Sequence, residues 1–185
     1  IALTKGRLEK KTVALLRAAG YDTSEIENPS RKLIFTIPGT HIEVVLAKAA
    51  DVITYVEHGV CDIGVVGKDI LEEGNFDIYE LLDLNLGKCN MCVAAPNDYV
   101  EDFDRPLRVA TKFVNIAKNY YISLNREIEI IKLNGSIEIA PILGLSDVIV
   151  DIVESGKTLK ENNLRVYEKI MPISARLIAN KSSYK

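Results

Sequence analysis

The chain has no tryptophan, two histidines and three cysteines in 185 residues. So little imidazole and thiol leaves almost nothing from which to build a structural zinc site. Cys89 and Cys92 stand at C-x-x-C spacing, but no second pair follows and only His41 and His58 remain as soft ligands. In extended backbone such a spacing sends the two thiols to opposite faces, so all three cysteines are expected to be reduced and mostly buried. No apolar run approaches the roughly 18 to 20 residues that span a bilayer, and no charged-then-apolar leader is visible, which predicts a cytoplasmic protein with no membrane segment. An excess of positive charge is missing too: 23 Lys and Arg stand against 26 Asp and Glu, a formal charge of −3. Neither nucleic acid nor an anionic membrane is therefore an expected partner, and any anion site must be local. There is also no G-x-G-x-x-G after the first strand, which argues against a dinucleotide fold.

What is present is a 48% hydrophobic chain, enough for one large core or two small ones. Short apolar strands alternate with helix-period segments, the pattern of an α/β fold. Residues 1–4 read as a strand, and Leu8, Val13, Leu15, Leu16 and Ala19 as one face of a helix stopped by Gly20. Residues 33–37 and 42–46 flank Pro38-Gly39 as a hairpin, 50–58 form a helix ended by Gly59, 62–66 a strand, 68–73 a helix and 79–84 a strand. Residues 94–106, A-A-P-N-D-Y-V-E-D-F-D-R-P, are turn-rich and aperiodic, as an interdomain linker is. Beyond them 108–110, 128–132, 148–153 and 165–170 read as strands, with helices at 116–124, 137–143 and 157–162. Two βα halves imply a cleft at the carboxyl ends of their strands, with the loops after Thr4, Val66, Thr111, Lys132 and Val153 gathered there.

One of those loops has the outline of a phosphate site. Residues 148–153 are β-branched at almost every position, and Ser155-Gly156-Lys157-Thr158 opens the helix behind them. Unpaired N–H groups at a helix start carry positive dipole, Gly156 permits close approach, and the Ser155 and Thr158 hydroxyls add donors. Asp151, late in the strand, is placed to accept hydrogen bonds from sugar hydroxyls, so the pair suggests a phosphorylated ribose. The loop is not a Walker A sequence, which requires an earlier glycine, and ordinary capping produces the same strand–turn–helix. Corroboration has to come from elsewhere in the chain.

It comes from a series of strings in order: K-G-R-L at 5–8, S-R-K-L-I at 30–34, D-V-I-T-Y-V-E-H-G at 51–59, D-I-G-V-V-G-K-D at 62–69 and Y-E-L-L-D-L at 79–84. They continue with A-T-K-F at 110–113, I-K-L-N-G-S-I-E-I-A-P at 131–141, V-D-I-V-E-S-G-K-T-L-K-E-N at 150–162 and S-A-R-L-I-A-N at 174–180. Together these resemble the catalytic subunit of the ATP phosphoribosyltransferase family, over nearly the whole chain. The resemblance implies the first step of histidine biosynthesis, in which ATP and 5-phosphoribosyl 1-pyrophosphate give N1-(5-phosphoribosyl)-ATP and pyrophosphate with Mg²⁺. It implies an α/β, two-domain fold like the type II periplasmic binding proteins, with a cleft between domains. Residues 1–93 plus 174–185 would make domain I and 94–173 domain II, which binds the sugar pyrophosphate. A chain ending at Lys185 resembles the short form, which works with a regulatory subunit similar to histidyl-tRNA synthetase and is expected to be a homodimer when alone. The alternative of the same architecture is a non-enzymatic solute-binding protein.

The implied chemistry favours cations. The attacking nitrogen is already neutral and the anomeric carbon becomes oxocarbenium-like as pyrophosphate leaves, so catalysis rests on aligning two polyanions and stabilising the leaving group. Lys5 and Arg7 flank Gly6 at the end of the first strand, and Arg31 precedes the next; these are the expected catalytic cations, although K-G-R is also an ordinary solvated helix start. Lys48, Asp69 and Glu138 are the expected ATP contacts, with capping and helix-dipole roles as the plainer readings of the two acids. Asp151, Glu154, Ser155, Gly156, Lys157 and Thr158 are expected to hold the sugar pyrophosphate. Protein side chains alone are not expected to bind the metal, which travels on the substrates. His58 reads as the polar end of a structural helix.

Overall fold

A computed structural model describes residues 1–28 and 31–184; Ser30, which opens the S-R-K-L-I string, and Lys185 lie outside the described residues. In chain order the elements are β1 (Ala2–Thr4), α1 (Arg7–Ala18), α2 (Ser24–Glu27), β2 (Ile34–Thr36), β3 (Glu43–Ala47), α3 (Ala49–Glu57), β4 (Ile63–Gly67), α4 (Lys68–Glu73) and β5 (Ile78–Asp83). They continue with β6 (Cys89–Pro96), β7 (Leu107–Thr111), α5 (Val114–Ser123), β8 (Ile128–Lys132), α6 (Ile139–Ile142), β9 (Val148–Val153), α7 (Lys157–Glu161), β10 (Leu164–Ile173) and β11 (Ala175–Asn180). The chain divides into two compact units: Ile1–Leu71 with Asn75–Gly87 and Ser174–Lys185, and Glu72–Gly74 with Lys88–Ile173.

The first unit is built on a sheet ordered β2-β3-β1-β4-β11-β5. Strand β1 is short but central, paired in parallel with β3 and β4, and its residues serve opposite faces. Leu3 packs with Val13, Phe35 and Val44, while Ala2 packs with Val52, Ile53 and Val56 of α3. Because β1, β3 and β4 are parallel, the turns after Thr4, Ala47 and Gly67 leave the sheet from one edge. Strand β11 returns to this sheet, antiparallel to both β4 and β5, with Ala175 level with Gly67.

The second unit has the order β10-β6-β9-β7-β8. Here β7, β8 and β9 are parallel and β6 runs against them. Val148 and Val150 face a core with Phe113 and Tyr121, whereas Ile149 and Val153 face Ile137, Ala140 and Leu159, so β9 is covered on both faces as its β-branched sequence predicts.

Four expectations are corrected. Residues 94–106 are not all linker, because β6 runs on to Pro96 and lies between β10 and β9 with Ala94 and Ala95 fully buried. Two alanines before a proline look turn-rich in sequence, but in a central strand small side chains leave room for covering helices. The long segment of the second unit accordingly runs from Lys88, ahead of the boundary expected after residue 93, since β6 pairs with β10 and β9. The helix expected at 137–143 is a single turn, α6, closed by Gly144 at φ +70°. Strand β10 is also longer than the expected 165–170, and two irregularities in its pairing with β6 interrupt the period that a sequence reading relies on.

Candidate active site

Within the first unit, the strand-edge turns carry the expected cations. Lys5 and Arg7 follow β1 and are exposed, Lys48 precedes α3 and is exposed, and Arg31 is exposed ahead of β2. Arg31 reaches the same edge because β2 is antiparallel to β3 and Leu33 O accepts the Leu46 N–H at 2.9 Å. The turn after β1 depends on glycine: Gly6 has φ +98°, and its N–H donates to the Glu9 carboxylate at 2.9 Å. Lys5 is tied to the neighbouring strand by its N–H, which donates to Ala47 O at 2.8 Å.

Asp69 behaves differently from the cations. It is buried in the first turn of α4 and curls back over Gly67, where an added Cβ would collide with Asp69 Oδ1. Any side chain at Gly67 would displace that carboxylate, so the V-V-G-K-D string is a steric unit.

Sequence reasoning missed the ionic brace beside this edge. Lys68 Nζ lies 2.7 Å from Glu80, Arg176 lies 3.2 Å from both Glu80 and Asp83, and the Ser174 hydroxyl donates to Asp83 at 2.8 Å. These residues come from the strings D-I-G-V-V-G-K-D, Y-E-L-L-D-L and S-A-R-L-I-A-N, so the signal was present as motifs. Their pairing was not, since it requires β11 to lie between β4 and β5.

Within the second unit, the loop after β9 brings Glu154, Ser155, Gly156, Lys157 and Thr158 together. Gly156 has φ +70° and ψ 6°, the left-handed conformation, and turns the chain into α7. Lys157 N–H is directed at the Ser155 hydroxyl at 3.4 Å, and Gly156 O accepts the Lys160 N–H at 3.1 Å. Ser155, Lys157 and Thr158 are exposed. Asp151 is half-buried on the β9 face that carries Ile149 and Val153, with the Ile152 N–H donating to its Oδ1 at 2.8 Å. Glu138 is half-buried at the start of α6, which packs on the same face through Ala140.

The opposite end of the same sheet is held by Asp147. Arg105 and Arg108 grip its carboxylate with four guanidinium hydrogen bonds of 2.7 to 3.3 Å, and the Arg108 backbone N–H adds a fifth at 2.9 Å. Burial works to raise the Asp147 carboxyl, but these hydrogen bonds prevail and hold it well below the usual carboxylate range. Among the described residues no group of three or more His, Cys, Asp or Glu side chains is arranged to hold a metal, and no helix is long and apolar enough to cross a membrane.

Two open α/β units, with cations and glycine turns at their strand-end loops, define a two-domain, periplasmic-binding-protein-like fold. Comparison with known proteins makes this specific. The HisG family model, described as ATP phosphoribosyltransferase, matches residues 48–185. An ATP phosphoribosyltransferase of Brachyspira hyodysenteriae is 60% identical over all of this chain and 90% of its own length, and one of Bacillus cereus is 56% identical over all of this chain and 88% of its own. Among solved structures, the ATP phosphoribosyl transferase (HisG:HisZ) complex from Thermotoga maritima matches with a TM-score of 0.83 and 37% identity, covering 99% of this chain and 88% of that one.

The chain belongs to the ATP phosphoribosyltransferase family, enzymes of histidine biosynthesis, and sits with its short-form catalytic subunits. The two curated relatives extend beyond the match by only about a tenth of their own length. Relatives named for an enzymatic activity do not favour the solute-binding alternative.

Proposed function

We propose that the strand-edge residues described above bind the two substrates of this transferase. The loop from Glu154 to Thr158 takes the 5-phosphate of 5-phosphoribosyl 1-pyrophosphate, and Asp151 accepts hydrogen bonds from its ribose hydroxyls. The left-handed turn at Gly156, with exposed Ser155 and Thr158 on either side, is the observation that carries this reading. Lys48, Asp69 and Glu138 contact ATP. Lys5, Arg7 and Arg31 stabilise the pyrophosphate as it departs.

In the reaction, N1 of the adenine forms a bond to the anomeric carbon as the bond from that carbon to the pyrophosphate oxygen breaks, and the electron pair leaves with pyrophosphate. No general base is needed for attack, so positioning and charge stabilisation are the tasks left to the protein. Mg²⁺ is carried on the substrate phosphates, where it offsets their charge, rather than in a cage of protein carboxylates.

We further infer a cytoplasmic enzyme that associates with a second protein, as in the HisG:HisZ complex from Thermotoga maritima, and that this partner is the synthetase-like regulatory subunit the family resemblance implies. The loop assignment is tested by calorimetry on Thr158→Val, which keeps the side-chain shape and removes the hydroxyl. Several-fold weaker binding of the sugar pyrophosphate with normal ATP binding is expected, and unchanged binding of both would remove the loop from the site.

A further inference from the structure

The second unit has a cavity of about 280 Å³ that the phosphoribosyl chemistry does not use. Val148, at the start of β9, lies in its wall. The candidate phosphate loop leaves the other end of the same strand after Val153, about 16 Å away at the rise of an extended strand.

The walls are aromatic. Tyr99, Tyr120, Tyr121, Tyr167 and Phe103 all line the space, which takes in four of the eight tyrosines of the chain. Tyr99 meets Tyr167 edge-on at 5.4 Å, and Tyr120 meets Tyr121 at 5.0 Å. The backbone is shaped to produce this. Val166 pairs with Ala94 and Glu168 with Val93, so Tyr167 is the extra residue of a bulge in β10. In a regular strand Tyr167 and Glu168 would point to opposite faces; here both line the cavity.

The rings are already engaged with cations where the protein supplies them. The Arg126 guanidinium lies 5.2 Å from the Phe103 ring centre and that of Arg165 lies 5.6 Å from Tyr167. Arg126 is matched by Glu101 at 3.1 Å and by the carbonyls of Asp102 and Arg105. Glu168, by contrast, makes no ion pair among the described residues, and its side chain receives only the Lys169 N–H at 3.3 Å. The cavity thus combines aromatic walls, an apolar floor from Val93, Leu107 and Val148, and one carboxylate with unmatched charge. Burial first, then the Glu168 and Glu101 carboxylates, push the Tyr120 phenol up.

We propose that this cavity is a ligand site for a small organic monocation, a quaternary or alkyl ammonium group with an apolar body. The rings attract the cation through their faces, Glu168 supplies the countercharge, and the floor buries the methyl or methylene groups.

The test uses choline and its neutral carbon isostere, 3,3-dimethylbutan-1-ol, titrated into the full chain and followed by NMR. Choline should bind saturably and the isostere about tenfold more weakly, the range expected of a partly desolvated cation–aromatic contact. Glu168→Gln, a change at an exposed position, should narrow that gap, and Tyr120→Leu should weaken choline binding. The absence of saturable choline binding, equal affinity for the two probes, or a gap unchanged in Glu168→Gln would each overturn the proposal.

Discussion

Gly156 shows what a single residue contributes to the proposed phosphate loop. At φ +70° an alanine loses about 1–2 kcal/mol to backbone strain, although its Cβ would meet nothing closer than Val153 Cγ1 at 3.9 Å. Gly156→Ala should therefore lower Tm by a few degrees and weaken sugar-pyrophosphate binding. Gly156→Asn separates the two effects, since asparagine enters the left-handed region readily: it should restore Tm while its side chain still obstructs the anion, as calorimetry can read. The exposed cations are simpler. Arg7→Ala and Arg31→Ala should each reduce kcat by about 100- to 1,000-fold if they face developing charge. Steady-state rates at parent levels in both variants would remove them from the catalytic set. Asp147 gives a pH signature. Its folded carboxyl titrates below its unfolded value, so its stabilisation is present above about pH 4 and is lost as pH falls further. Tm measured against pH should show a decline below pH 4 that is reduced in Asp147→Asn, and Asp147→Asn should be the less stable protein at neutral pH. These residues differed in legibility. Lys5, Arg7, Arg31 and Lys48 were visible as cations beside strand ends, whereas nothing local marks Asp147 as the carboxylate that Arg105 and Arg108 share from across the sheet.

Elements were legible where their period was regular. The helix and strand from Ala49 to Gly67 follow their expected bounds closely, because a helical stripe and then a β-branched run, each ended by glycine, leave little choice. Strands β6 and β10 were harder. Strand β6 has small residues and a terminal proline, and β10 contains irregularities that break alternation, so its full length emerges only from pairing. Strand β11 is fastened at its end by Asn180. The Asn180 amide donates to the carbonyls of Val56 and Glu57 at 2.8 and 3.2 Å, and its oxygen accepts from the N–H groups of Ser182 and Ser183 at 2.8 and 3.2 Å. It thereby satisfies the C-terminal end of α3 and the turn after β11 together. Asn180→Ala should cost about 1–3 kcal/mol in urea unfolding, since buried carbonyls lose their donor. A loss near zero would mean that water replaces the amide at no cost.

At the scale of the whole molecule, the two sheets share a plan: parallel strands deliver their turns to one edge, and an antiparallel strand, β11 or β6, is inserted beside them. The α/β alternation and the strings along the chain made that plan legible, while the ionic brace among Lys68, Glu80, Asp83, Arg176 and Ser174 required three separated segments to meet. The membership in the ATP phosphoribosyltransferase family rests on the full length of the chain. The most direct measurement is the absorbance change on mixing the chain with ATP, 5-phosphoribosyl 1-pyrophosphate, Mg²⁺ and a synthetase-like regulatory subunit. Formation of N1-(5-phosphoribosyl)-ATP that requires both substrates, and that falls sharply in Arg7→Ala, is the predicted result. Tight binding of one substrate with no product in the presence of the partner would contradict it.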